Sequence, residues 1–116
     1  RHLHRMKRTY QERQTLLTQQ LRSHPFATHL TILGEEAGLH LLLQVDLPCT
    51  ESTLVHEAEN AHVSVYALSA YCEIPNQKSE RLPCIVMGYA CLSPDEIKAG
   101  TKRLLDAWQR LSETLT

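Results

Sequence analysis

Apolar side chains at Leu3, Met6, Tyr10, Leu17 and Leu21 fall on one side of a helical wheel, while Arg1, Arg5, Lys7, Arg8, Glu12 and Arg13 occupy the others. This pattern predicts an amphipathic helix over residues 3–21. It ends at His24-Pro25, because the residue before a proline avoids the helical region. Residues 28–33 then read as a strand and residues 34–38, Gly-Glu-Glu-Ala-Gly, as a tight connection. Beyond it Leu39, Leu41, Leu43, Val45 and Leu47 alternate strictly with other residues, which predicts a second strand and a β-hairpin with one buried face.

Pro48 closes that strand, and Thr50 or Ser52 is placed to cap a short helix whose apolar side is Leu54, Val55 and Ala58. Strand character returns over residues 62–66. Residues 72–82, with Pro75, Asn76, Lys78, Ser79 and Glu80, read as a surface loop, and residues 84–89 as a short apolar strand. Ser93-Pro94-Asp95-Glu96 combines a serine cap, a proline at the first helical position and a glutamate that completes a capping box. The helix it starts carries Ile97, Thr101, Leu104, Leu105, Trp108, Leu111 and Leu115 along one stripe. The resulting order predicts an α+β fold, a mainly antiparallel sheet of three to five strands with helices packed on one face.

With 116 residues, 42% of them hydrophobic and 22% charged, the chain has room for one domain with one modest core. A formal net charge of −1 argues against the dense positive face that gripping a phosphate backbone requires. Cys49, Cys72, Cys84 and Cys91 are scattered without a Cys-x-x-Cys pair, so buried thiols of a cytoplasmic protein are expected rather than a disulfide frame. No apolar run approaches the roughly 20 residues that cross a bilayer, and no membrane partner is expected. A helical pattern already running at Arg1 leads to the expectation that the chain is one domain, residues 1–116, of a longer protein.

Candidate chemistry is sparse. Among seven histidines, the pairs His2 with His4 and His24 with His29 lack the i, i+4 spacing that places two rings on one helix face, and no cysteine or carboxylate cluster completes a ligand set. No metal site is expected. Cys72 or Cys91 with a histidine lacks an orienting third group, and the basic run at residues 1–13 is accounted for by its amphipathic stripe as a solvated or interdomain face. Four glycines form no phosphate loop, and no lysine sits in a Schiff-base setting, so the chain has no catalytic residues of its own. Ser69 and Tyr71, at the end of the strand over residues 62–66, carry hydroxyls that can reach a ligand held by a neighbouring domain, or serve as ordinary loop residues.

Three segments in order resemble the end of the aminotransferase-like domain in MocR-type transcriptional regulators of the GntR class: Gly38-Leu-His-Leu-Leu-Leu-Gln-Val-Asp46, His62-Val-Ser-Val-Tyr-Ala-Leu-Ser-Ala-Tyr71 and Val86-Met-Gly-Tyr-Ala-Cys-Leu-Ser-Pro-Asp-Glu-Ile97. The opening helix and Gly100, Leu104 and Trp108 of the closing helix are similar too, so the resemblance covers nearly the whole chain. It implies the C-terminal small domain of the fold-type I pyridoxal-phosphate superfamily. It also implies a winged-helix DNA-binding domain and a large domain whose lysine holds pyridoxal phosphate, both upstream. In such a protein the small domain covers the cofactor cleft of a homodimer and moves when an amino-acid-like effector binds. DNA is contacted only through the upstream domain, and no cofactor is bound covalently here.

Amino-acid aminotransferases place a carboxylate-binding arginine on the strand before the Ser-Pro-Asp-Glu helix start, and the aligned residue is Val86. Valine cannot make the bidentate contact of a guanidinium. Either the effector is anchored elsewhere, or it is the cofactor itself, or the alignment slips and Arg81 serves from the loop. Ser69, Tyr71 and Val86 are therefore the candidate effector-pocket residues. Two other readings stay open: the small domain of a true aminotransferase, and a stand-alone interaction module.

Overall fold

A computed structural model describes the backbone of residues 2–36, 40–68, 82–89 and 92–115, with side chains described from residue 11 onward and not at 34–36. Its elements run α1 (His2–Ser23), a 3₁₀ helix (Pro25–His29), β1 (Leu30–Glu36), β2 (His40–Val45), α2 (Glu51–Asn60), β3 (Tyr66–Ala67), β4 (Cys84–Gly88) and α3 (Pro94–Leu115). The four strands form one antiparallel sheet in the order β1-β2-β4-β3. This is the α+β fold that the hydrophobic pattern predicts.

Alternation in β2 explains how sheet and helices meet. Leu41, Leu43 and Val45 are buried, and the residues between them are only half-buried. The buried set joins Ile85, Met87 and Tyr89 from β4 and its end, Leu17 and Leu21 from α1, Leu54 and Ala58 from α2, and Ile97, Leu104, Leu105 and Trp108 from α3 in a single core. Each large aliphatic side chain so removed from water contributes about 1.5–3 kcal/mol.

The junction after α1 is held by His24. Its ring Nδ1 accepts a hydrogen bond from the Phe26 backbone N–H at 3.0 Å, so the ring proton sits on Nε2 and is donated to Asp106 Oδ1 at 2.8 Å. That cap, with Pro25 fixing the first φ angle, makes residues 25–29 a 3₁₀ helix. Thr28 and His29 therefore stand in a helical turn, not in a strand, and Phe26 is buried with its ring 6.1 Å from that of Trp108.

Two further expectations are corrected. Gly34 to Glu36 belong to β1, not to a tight connection. The pairing passes from Ile32 opposite Leu43 to Gly34 opposite Leu42, so Leu33 is an extra, bulged residue and the strand continues. The remaining connection, residues 37–39, lies outside the described residues, as does most of the loop expected over residues 72–82. The strand expected from His62 begins only at Tyr66, because the end of α2 takes up the preceding residues. His62 adopts a left-handed φ of 63°, its N–H bonds to Glu59 O, and the Val63 N–H reaches back to Ala58 O. These two bonds are the helix-ending pattern usually built around glycine.

Candidate functional site

Among the described residues, side chains do not fill the end of the sheet where β4 finishes and β2 and β3 begin. A cleft of about 970 Å³ lies there, between the sheet end, the connection from α2 to β3, and the first turns of α3. Its floor is apolar, made by Leu17, Met87, Tyr89 and Ile97 from the core. Half-exposed Tyr66 and Leu92 stand at its rim, with His40, His62 and Ser64 beside them. A concave apolar volume with a few converging polar groups is what small-ligand sites have in common.

One wall is the start of α3, whose position is set by the capping box. Glu96 N–H donates to Ser93 Oγ at 3.1 Å, and Ser93 N–H donates to Glu96 Oε1 at 2.8 Å. The Ser93 backbone N–H, followed by its hydroxyl, holds the Glu96 carboxyl below the usual carboxylate range. From that fixed start, Asp95, Glu96, Ala99, Gly100 and Arg103 line the cleft, and the buried Ile97 and Thr101 line it from the side of the core.

Arg103 is the cleft's one guanidinium among the described residues. Its Nε donates to the backbone oxygen of Ala61 at 3.0 Å, which fixes the side chain across the end of α2. No hydrogen bond or ion pair to its two terminal nitrogens is found among the described residues. Gly100 lies one turn before it. Among the described residues, and apart from the helix's own backbone, a Cβ there would meet only Arg103 Nη2, at 4.0 Å.

The residues expected to form an effector pocket fare unequally. Ser69, Tyr71 and Arg81 lie outside the described residues. Val86 is on β4, paired with Leu42 on one side and Tyr66 on the other, and is only 6% exposed. It sits two residues in from Gly88 and does not line the cleft. The arginine that does, Arg103, was hidden in the sequence inside the stripe pattern of a helix; Gly100, a poor helix former in a strong helix, was its signal.

Among the described residues no group of His, Cys, Asp or Glu is placed to hold a metal ion. Cys84 is buried and Cys49 half-buried, with burial pushing the Cys49 thiol up, and Cys72 and Cys91 lie outside the described residues. No helix is long and apolar enough among them to cross a membrane.

No model of a known protein family matches the sequence. Two HTH-type transcriptional regulators of Bacillus subtilis (strain 168) do. YdeL is 30% identical over 110 residues, which is 94% of this chain and 22% of that protein. YhdI is 30% identical over 112 residues, 96% of this chain and 23% of that protein. The chain thus spans less than a quarter of the length of these relatives. Among solved structures, a Pyrococcus horikoshii kynurenine aminotransferase superposes with a TM-score of 0.72 and 14% identity over 90% of this chain and 24% of the enzyme. The C. albicans aromatic aminotransferase Aro9 does so with a TM-score of 0.76 and 19% identity over 91% of this chain and 25% of the enzyme. The chain is homologous to HTH-type transcriptional regulators along nearly its whole length and has the fold of an aminotransferase small domain, which together are consistent with the C-terminal small domain of a MocR-type regulator.

Proposed function

We propose that this chain is the effector-sensing small domain of a pyridoxal-phosphate-dependent MocR-type transcriptional regulator. The observation that carries the reading is the conjunction just described: relatives that are regulators across 94% and 96% of the chain, on an aminotransferase fold. Val86 adds to it. An apolar, buried residue stands where the resemblance places a substrate-binding arginine, and valine cannot make that arginine's paired hydrogen bonds to a substrate carboxylate.

The described residues do not fit the role of holding pyridoxal phosphate. Lys98 and Lys102 are exposed on α3 and do not line the cleft at the sheet end, and Lys102 is engaged with Asp106 at 2.8 Å. The proposal therefore assigns the cofactor to a large domain of a longer, homodimeric, cytoplasmic protein, and DNA contact to a winged helix in the same protein. The small domain has no reaction of its own. It contributes contacts that differ between the effector-bound and effector-free arrangements, and only such a difference in affinity shifts an equilibrium.

The test is a promoter-binding titration of the intact protein with and without pyridoxal phosphate and candidate amino-acid effectors. DNA affinity that changes with cofactor or effector supports the reading. Promoter binding absent under every condition overturns it. The aminotransferase alternative is favoured by the structural likeness alone; it requires rapid amino-group exchange by the intact protein.

A further inference from the structure

We infer that the cleft at the sheet end binds a small organic monocarboxylate with an apolar body, its carboxylate held by Arg103. The inference is separate from the pyridoxal-phosphate reading, since it concerns a site formed by this domain's own residues.

Three observations converge on it. The Arg103 guanidinium is held in place through Nε, by the bond to Ala61 O at 3.0 Å, while its two terminal nitrogens have no partner among the described residues. A fork so oriented, with both ends available, is the geometry that takes a carboxylate with two parallel hydrogen bonds. Beside it the floor of Met87, Tyr89 and Ile97 offers apolar surface in a volume of about 970 Å³, enough for a ligand of metabolite size.

The third observation is Gly100. A glycine inside a helix is less favourable than alanine. That cost is usually accounted for by a close neighbour or a left-handed backbone, and neither is found among the described residues: apart from the helix's own backbone, only Arg103 Nη2, at 4.0 Å, comes near the missing Cβ. What the glycine leaves open is the space directly before the guanidinium.

Charge selects the ligand class. Asp95 and Glu96 line the same cleft as Arg103, His40 and His62. With two carboxylates in the same lining as its one guanidinium, the cleft disfavours a doubly charged phosphate monoester more strongly than a singly charged head group that the Arg103 fork can hold.

The experiment is calorimetric titration of the intact protein with 3-phenylpropionate and with its neutral amide. The acid is expected to bind at least about tenfold more tightly than the amide, the loss that follows when a charge-assisted pair is removed. Arg103→Gln is expected to bring the acid to the level of the amide. Because that change also removes the bond to Ala61, Gly100→Leu is the second variant. It is expected to keep or raise the melting temperature and to weaken the acid at least about tenfold by filling the space before the fork. Equal binding of acid and amide, no binding of either, or a folded Gly100→Leu protein that binds as the parent does would each overturn the inference. None of these results bears on whether the intact protein binds promoter DNA.

Discussion

The two halves of α3 do different work. From Leu104 to Trp108 the helix is packed on every inward side: Leu104, Leu105 and Trp108 are fully buried, and Trp108 Nε1 donates to the Leu54 carbonyl oxygen at 3.1 Å, tying α3 to α2. Asp106 takes His24 on its other flank and so ties α3 to the end of α1. From Pro94 to Arg103 the same helix buries Ile97 and Thr101 but presents Ala99, Gly100 and Arg103 to an open cleft. One half specifies how the layers pack; the other leaves room. Separating these tasks along one rigid element lets changes at the open end leave the packing alone.

The division implies a ranking of mutational effects. Trp108→Ala removes the largest side chain of the core and the indole hydrogen bond to the Leu54 carbonyl. It is expected to cost about 3–5 kcal/mol, read by denaturant unfolding. Leu104→Ala, in the same half, is expected to cost about 2–5 kcal/mol by the same measurement. Ser93→Ala strikes the open half, and loss of the cap is expected to cost about 1 kcal/mol, with the melting curve remaining a single transition. A loss as large as that of the core truncations would show that the start of α3 carries packing as well as position.

The smallest effect concerns pH. Hydrogen bonds from Lys102 and then from His24 hold the Asp106 carboxyl below its usual range. A carboxyl lowered on folding contributes stability above its unfolded pKa of about 3.9, and loses it as pH falls through the lower folded value. Asp106→Asn is therefore expected to flatten the acid limb of stability against pH and leave the shape of the curve nearer neutrality unchanged. With the side chain 34% exposed, solvent screening limits the contribution to about 0.5 kcal/mol. Unfolding midpoints measured across the acid range for the two proteins check it.

Much of the packed half was legible in the sequence. The alternation of Leu41, Leu43 and Val45 and the stripe from Ile97 to Trp108 are direct consequences of the strand and helix periods, and the Ser93 to Glu96 capping box announces its own geometry. What was not legible depends on partners distant in the chain. The 3₁₀ helix after α1 needs His24 capped against Asp106, 82 residues away. The bulge at Leu33 becomes visible only once β1 and β2 are in register. The late start of β3 follows from His62 accepting a left-handed φ that sequence rules assign first to glycine. The cleft arises in the same way, since Arg103 and Ala61 meet only when α2 and α3 are packed together. Val86 was located correctly on its strand, but the cleft passes it by.

Assignment of this domain to a regulator and not to an enzyme is the claim on which most depends. The most direct test follows amino-group exchange and promoter binding side by side in one preparation of the intact protein loaded with pyridoxal phosphate. The account predicts specific promoter binding with negligible turnover of amino donors. Rapid exchange between amino and keto acids, with no affinity for DNA, would contradict it.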